Sequence, residues 1–197
     1  MDNINIPKPP PRRLLAELMR LESGEVLPKN FHAVSQAARI YRSNQPNRDE
    51  FRELEKLGFK TVLNLRTHHA DHDALRGFHI SERRLKIYIL TAEDMVEALR
   101  IVKSSPKPLL IHCLRGADRT GAVAVGYRIV FENWSLEEAM AEFQLPDYGR
   151  HRFLYRKLPQ ILRSFDWNAI RRAVADAPDA PPEEEAAEDE AAEVPAL

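Results

Sequence analysis

Apolar and polar positions alternate along the chain with two different periods. Short apolar runs typical of buried strands alternate with longer segments that have helical spacing. The predicted strands are residues 61–65, 84–90 and 107–112, with a short hairpin or two small strands over residues 31–43. The predicted helices are residues 14–22, 47–57, 91–104 and 120–130, another from residue 135, and a last one over residues 150–165. This order predicts an α/β fold, with a central, mostly parallel sheet flanked by helices and a ligand site at the carboxyl ends of the strands.

Capping residues support two of these helix starts. Asn47 is followed three positions later by Glu50, and Ser135 is followed at the same distance by Glu138. In both pairs a short polar side chain can bond the third helical amide while the glutamate bonds back. Gly58 then marks the end of the first of these helices.

Length and charge indicate one catalytic domain with two flanking segments. We expect a lead-in with a short helix at residues 1–29, a catalytic domain at residues 30–172 and an acidic, disordered tail at residues 173–197. The formal net charge is −1, but the tail holds nine carboxylates and no lysine or arginine, which leaves +8 on residues 1–172. The folded part is therefore basic, which favours anionic ligands.

Composition also excludes several classes of protein. There is no apolar run long enough for a transmembrane helix, and residues 1–8 lack the apolar core of a signal peptide, so a cytoplasmic protein is expected. Cys113 is the chain's one cysteine, which rules out an internal disulfide. No pattern indicates a nucleic-acid partner. The histidines at residues 68–72 fit no tetrahedral spacing, so neither a metal nor a cofactor is expected.

The most informative segment is residues 111–121, which read IHCLRGADRTG. An apolar run enters it like a strand, and an apolar run leaves it like a buried helix. Successive backbone amides in such a loop, with the positive end of the helix behind them, bind a tetrahedral oxyanion. Arg119 adds a planar fork that matches two phosphate oxygens.

A thiol in this loop experiences the same field as the anion, so Cys113 is expected to be a nucleophilic thiolate at neutral pH. Thr120 can donate its hydroxyl to the sulfur, and His112 can support the loop from behind. The alternative is that Cys113 is an ordinary buried core cysteine. The glycine within the loop and the Thr-Gly pair after Arg119 argue against this alternative.

The motif His112-Cys113-x5-Arg119-Thr120-Gly121 resembles the active-site loop of the cysteine-dependent protein tyrosine and dual-specificity phosphatase superfamily. Residues 42–46, 57–66, 127–130 and 133–139 extend the resemblance to the small bacterial and atypical dual-specificity branch, over roughly residues 30–165.

This resemblance implies a phosphomonoester hydrolase that works through a cysteinyl-phosphate without a cofactor. The implied substrate-binding residues are Leu114, Arg115, Gly116, Ala117, Asp118 and Arg119. Phosphorylated proteins and inositol-based phosphates, including phosphoinositides, both remain open as substrates. A cation at Arg115 favours the inositol-based class, unless that side chain points to solvent. An arsenate-reductase-like or sulfur-transfer enzyme, and a non-catalytic phosphate-binding module, are the alternatives.

The general acid is the least determined group. The family commonly places an aspartate on a mobile loop before the cysteine, but the predicted strand 84–90 passes almost directly into the helix at Thr91. Asp94 is one candidate, although it also suits the third position of that helix. Asp118 is another, because a carboxylate beside a phosphate dianion tends to keep its proton and similar loops in myotubularin-type lipid phosphatases use such an aspartate. Asp71 and Asp73 are the remaining candidates.

Overall fold

The computed structural model describes residues 27–149 and 156–176. Its strands are β1 (His32–Ser35), β2 (Ile40–Ser43), β3 (Thr61–Asn64), β4 (Ser81–Arg84) and β5 (Leu109–His112). Its helices are α1 (Arg48–Lys56), α2 (His72–Leu75), α3 (Ala92–Ser104), α4 (Asp118–Phe131), α5 (Leu136–Phe143), α6 (Leu158–Ser164) and α7 (Trp167–Ala175), with a 3₁₀ turn at Pro146–Tyr148. No helix of the described part is long and apolar enough to cross a membrane.

The strands form one sheet in the order β1-β2-β5-β3-β4. β1 and β2 pair antiparallel, as expected for a hairpin, and every other pair is parallel. β5 is therefore central, with β2 on one side and β3 on the other. The expected α/β class with a mostly parallel sheet is confirmed, and the carboxyl end of the central strand opens directly into the anion loop, the name used below for residues 113–119.

Helices cover both faces of the sheet, and the alternation of side chains along each strand explains this. Val62 and Leu110 pack into a cluster beneath α1 and α2. Leu63, Leu109 and Ile111 point to the other face and join the larger cluster formed with α3, α4 and the helices that follow. Strands buried on both faces read as continuous apolar runs, which is why the sequence predicted these strands.

The predicted capping boxes are present. Asn47 accepts hydrogen bonds from the first turn of α1 while Glu50 bonds back to the Asn47 amide. Ser135 and Glu138 form the same reciprocal pair at α5, and Thr91 with Asp94 forms it at α3. Each box needs only a spacing of three residues, so the sequence alone predicts it.

The predicted strand over residues 84–90 is wrong. β4 is Ser81–Arg84, and residues 85–90 contain neither helix nor strand. β3 and β4 stop level with each other, and beyond them the carbonyls of Leu65 and Ile87 accept hydrogen bonds from Arg119. A real loop therefore precedes α3, where the sequence predicted almost none.

The end of the chain also differs from expectation. The predicted helix 150–165 is observed as α6 over Leu158–Ser164, and residues 150–155 lie outside the described part. Helix α7 was not predicted, and its buried Val174 falls within the segment assigned to the disordered tail. Asp166 caps this helix, and apolar residues follow it at helical spacing, which is the signal that was overlooked. The predicted helix 14–22 and residues 177–197 are outside the described part.

Candidate active site

The anion loop connects the buried end of β5 to the first turn of α4. Cys113 follows the strand directly and is 4% exposed. Helix α4 begins at Asp118, which places Arg119 and Thr120 in its first turn. The free amides and the positive dipole end of this helix therefore face the loop.

Each carbonyl of the loop from Cys113 to Ala117 lies within hydrogen-bonding distance of a donor outside the loop. The donors, in order along the loop, are the His112 ring, the Gln45 amide, the Asn30 side chain and, for both Gly116 and Ala117, the Arg42 guanidinium. In a trans peptide the carbonyl and the next amide point in opposite directions. The amides of residues 114–118 are therefore turned toward the inside of the loop, which is the arrangement that binds an oxyanion.

Gly116 allows the loop to approach the end of β2. Its φ is +68°, in the left-handed region, and a Cβ there would lie 2.2 Å from the Ser43 carbonyl oxygen. Any side chain at this position would collide with the backbone of the neighbouring strand.

Arg42 on β2 is the buried support of the loop. Its Nη2 donates to the Gly116 carbonyl at 2.7 Å and to the Ala117 carbonyl at 3.1 Å. The guanidinium also lies 4.4 Å from the ring centroid of Tyr148. Burial lowers the pKa of Arg42, although nearby Tyr148 and Glu142 oppose this shift.

His112 and Asp71 form a buried pair behind the loop. His112 Nε2 donates to Asp71 Oδ2 at 2.6 Å, and His112 Nδ1 lies 3.3 Å from the Cys113 carbonyl. The ring thus lies between the Asp71 carboxylate and the Cys113 carbonyl, and its hydrogen bond to the carboxylate fixes its orientation behind the loop. Burial opposes ionisation of Asp71, but the hydrogen bond and charge of His112, helped by Gln45, hold its pKa below the ordinary value.

The pair is part of a wider polar network at the carboxyl edge of the sheet. Gln45 donates to Asp71 Oδ1 at 2.6 Å and accepts from Arg66 at 3.2 Å. Glu82 on β4 accepts from the Asp71 amide and from Asn64, both at 2.9 Å. Residues from β3, β4 and β5 and from the segment after β2 are thus held together around the anion loop.

Arg119 is fixed from the side opposite to Arg42. Its Nη1 donates to the Leu65 carbonyl at 2.9 Å and to the Ile87 carbonyl at 3.3 Å. Its Nε is buried and has no hydrogen-bond partner within the described part. A guanidinium anchored at one corner, with an unsatisfied buried donor beside it, suits a ligand that brings its own acceptor oxygens.

Thr120 and Asp118 both lie in the buried first turn of α4. The Thr120 hydroxyl has no hydrogen-bond partner within residues 27–149 and 156–176, so the structure contains no bond from it to the Cys113 sulfur. Asp118 is 3% exposed and immediately precedes Arg119. It is the one acid candidate within the loop itself.

The other acid candidates have different surroundings. Both oxygens of Asp71 accept hydrogen bonds and its pKa is lowered, which is the opposite of what a proton donor needs. Asp94 caps α3 by accepting from the Thr91 amide, and it lines a groove between α3 and α7. Asp73 is exposed on α2 and bonds Arg76 at 2.7 Å.

The sequence analysis gave no role to Arg42 or Gln45, although their segment carried part of the resemblance. The available signal was a pair of polar residues at the end of a short strand whose carboxyl end meets the loop. The described residues include no group of three or more histidine, cysteine, aspartate or glutamate side chains that could hold a metal ion.

Comparisons with known sequences identify relatives of the chain. The profile of the tyrosine phosphatase family matches residues 25–164. Dual specificity protein phosphatase TpbA of Pseudomonas aeruginosa strain UCBPP-PA14 is 29% identical over 140 residues, 69% of this chain and 63% of the relative. Inositol diphosphatase DSP5 of Arabidopsis thaliana is 31% identical over 136 residues, 61% of this chain and 64% of the relative. The chain thus matches less than two thirds of the length of these relatives.

Solved structures give the same result. The crystal structure of P. aeruginosa TpbA superposes with a TM-score of 0.66 at 27% identity, covering 75% of this chain and 92% of that one. The core catalytic domain of the PP-IP phosphatase SIW14 from S. cerevisiae, in complex with citrate, gives 0.63 at 26% identity, covering 76% and 93%. The resemblance drawn from the residues of the loop is confirmed: the chain belongs to the tyrosine phosphatase family.

Proposed function

We propose that the protein hydrolyses phosphate esters or anhydrides through a cysteinyl-phosphate on Cys113. The thiolate attacks phosphorus, and the bond from phosphorus to the leaving oxygen breaks as the bond from sulfur to phosphorus forms. Water then attacks phosphorus, which releases inorganic phosphate and restores the thiolate. The inward amides of residues 114–118 and the fork of Arg119 stabilise the phosphoryl oxygens in both steps.

The observation that carries this proposal is the state of Arg119. Its guanidinium is oriented by two backbone carbonyls, while its buried Nε has no partner in the described part of the chain. An unsatisfied buried donor costs about 1–3 kcal/mol, and a bound phosphate would remove that cost. A silent binding module would use the same geometry, so turnover has to be measured.

For the general acid, we propose Asp118, which protonates the leaving oxygen. This carboxyl group is within the anion loop and immediately precedes Arg119, whereas Asp71 and Asp94 lie on other segments. Thr120 is proposed to donate its hydroxyl to the sulfur when the cysteinyl-phosphate breaks down, because that hydroxyl is otherwise unsatisfied within the described residues.

Two substrate classes fit the relatives: phosphorylated proteins, as for TpbA, and inositol diphosphates, as for DSP5. Residues 85–90 lie beside Arg119 and contain no carboxylate that could serve as a loop acid. With no acid on this loop, proton donation depends on Asp118, and leaving groups that need less assistance are favoured. A phosphate leaving group, whose second pKa is about 6, needs less assistance than a tyrosine phenol with a pKa of about 10. Diphosphate substrates are therefore preferred in this proposal. We also propose that the protein acts in the cytoplasm.

The test is phosphate release by the purified full chain from a phosphotyrosine peptide, a phosphoserine peptide, an inositol diphosphate and inositol hexakisphosphate. Cys113→Ser is the blank, and Arg119→Lys should lose about a hundredfold or more in turnover because a point charge cannot replace the fork. Release that persists in Cys113→Ser, or silence on every substrate with Cys113 reduced, would contradict the proposal.

A further inference from the structure

The segment at residues 85–90, here called the rim loop, presents two large apolar side chains to solvent beside the active site. Tyr88 is 73% exposed and Ile89 is 71% exposed. Ile87, which directly precedes Tyr88, is buried, and its carbonyl accepts the hydrogen bond from Arg119. The loop is therefore anchored to the catalytic arginine by one residue, while the next two project outward.

The anchoring continues on the β3 side. The Tyr88 hydroxyl lies 2.9 Å from His68 Nε2, and the two rings meet edge to face at a centroid distance of 5.5 Å. Arg84 at the end of β4 donates to the Thr67 carbonyl at 3.2 Å. These contacts join the rim loop to the segment after β3, so the projecting side chains keep a defined position next to the entrance of the site.

The charge on the rim loop and on the segment after β3 has one sign, whereas Glu93, Asp94 and Glu97 lie on the other side, in the groove that Leu85 lines. Arg84 and Lys86 are both exposed, and residues 83–90 contain no aspartate or glutamate. Residues 65–70, which contact the rim loop, also contain none and add Arg66 and two histidines. The rim loop thus places a cation, Lys86, close to two exposed apolar side chains, Tyr88 and Ile89. This combination fits the interface of an anionic lipid bilayer.

The shape of the patch distinguishes a bilayer from other partners. Peptides and small ligands bind in concave sites that bury most of their surface, whereas side chains exposed by more than 70% project from the surface. A stable contact with a second copy of the chain needs about 800 Å² from each partner, far more than two side chains supply. Projecting apolar side chains with adjacent cations can instead insert among lipid headgroups.

We propose that the rim loop docks the protein on an anionic bilayer, which places the anion loop at the membrane surface. The proposal names the location of the activity proposed above and rests on that activity. The attraction is local, because charges further than about 10 Å apart are screened at ordinary ionic strength, so the formal net charge of −1 does not prevent it.

The test is co-sedimentation of the full chain with two vesicle preparations: pure phosphatidylcholine, and an equimolar mixture with phosphatidylglycerol. We expect sedimentation with the mixed vesicles and little with phosphatidylcholine alone. Ile89→Ser should weaken the binding about tenfold through lost apolar burial. Lys86→Glu should weaken it about fivefold or more, and added salt should reduce what remains.

Lys60→Glu is the matched control, because this exposed lysine precedes β3 at the opposite edge of the sheet and makes the same change in charge. Equal losses in Lys60→Glu and Lys86→Glu, or no sedimentation of the wild type at low salt, would overturn the docking proposal. A third result would also overturn it. If the wild type does not bind vesicles and Ile89→Ser raises the KM for a soluble phosphotyrosine peptide, the patch serves protein substrates.

Turnover of a small soluble phosphate ester separates the two proposals. Ile89→Ser should leave this turnover unchanged while vesicle binding falls. Vesicle binding by a wild-type protein that releases no phosphate from any substrate would support docking and contradict the proposed function.

Discussion

The carboxylate of Asp71 accepts a hydrogen bond of 2.6 Å from the ring of His112, and both side chains are completely buried. The pair joins the segment after β3 to the residue that precedes Cys113. The His112 ring lies between the Cys113 carbonyl and this carboxylate. A buried carboxylate of this kind is stable only while its hydrogen-bonding partner is present, because an unpaired buried charge is strongly destabilising.

Replacing Asp71 by Asn should therefore affect chemistry as well as stability. Without the carboxylate, the His112 ring loses the hydrogen bond that fixes it behind the Cys113 carbonyl. We expect kcat to fall about tenfold or more because the loop is less well positioned, and phosphate to protect Cys113 from iodoacetamide less well than in the wild type. Unchanged protection by phosphate would show that the pair only supports the fold.

The same variant tests the effect on stability. Breaking a buried pair costs about 3 kcal/mol in the free energy of unfolding. Because the pKa of Asp71 is lowered on folding, its contribution is complete above the unfolded value of about 3.9 and is lost as the pH falls through the folded value. The difference between wild type and Asp71→Asn in urea denaturation should thus be constant from pH 5 to about pH 7 and shrink below about pH 4.

Asp118→Asn and Asp94→Asn distinguish the acid candidates. If Asp118 protonates the leaving group, its variant should lose about a hundredfold in kcat with a phosphotyrosine peptide and much less with a nitrophenyl phosphate, whose leaving group departs unprotonated. Asp94→Asn should cost about 1 kcal/mol of stability through the α3 cap, with kcat nearly unchanged. A leaving-group dependence in Asp94→Asn alone would reverse the assignment.

Arg42→Lys tests the support of the loop from β2. A lysine cannot bond the Gly116 and Ala117 carbonyls as a fork while lying flat on Tyr148. We expect a loss of about 2 kcal/mol of stability and about a hundredfold in kcat/KM. Bound phosphate should also protect Cys113 from alkylation less well in this variant. An unaltered phosphate affinity would rule out the role of Arg42 in supporting the loop.

Gly116→Ala should abolish activity, because its Cβ would overlap the Ser43 carbonyl at 2.2 Å. Gly77→Ala is the control for backbone strain alone: it also has a positive φ, of +85°, but a Cβ there meets nothing within 4 Å. For Gly77→Ala, thermal unfolding should show a modest loss of stability, and phosphate release should show that activity is retained. Equal effects in both variants would mean that the close approach to β2 is unimportant.

The sequence was sufficient for features that depend on neighbours along the chain. The capping boxes at Asn47 and Ser135 need a spacing of three residues, and the buried strands are apolar on both faces. The anion loop is equally local, because a strand, a glycine and a helix start are contiguous in it. These features determined the fold class and the position of the cysteine and arginine.

The tertiary structure decided what depends on distant residues. Arg42 supports carbonyls 74 and 75 positions away, and Asp71 meets His112 across 41 positions. The loop after β4 is held by Arg119, which donates to the Ile87 carbonyl, 32 positions earlier in the chain. No local pattern encodes such pairings, since they exist only once the parallel sheet has brought the ends of its strands to one edge.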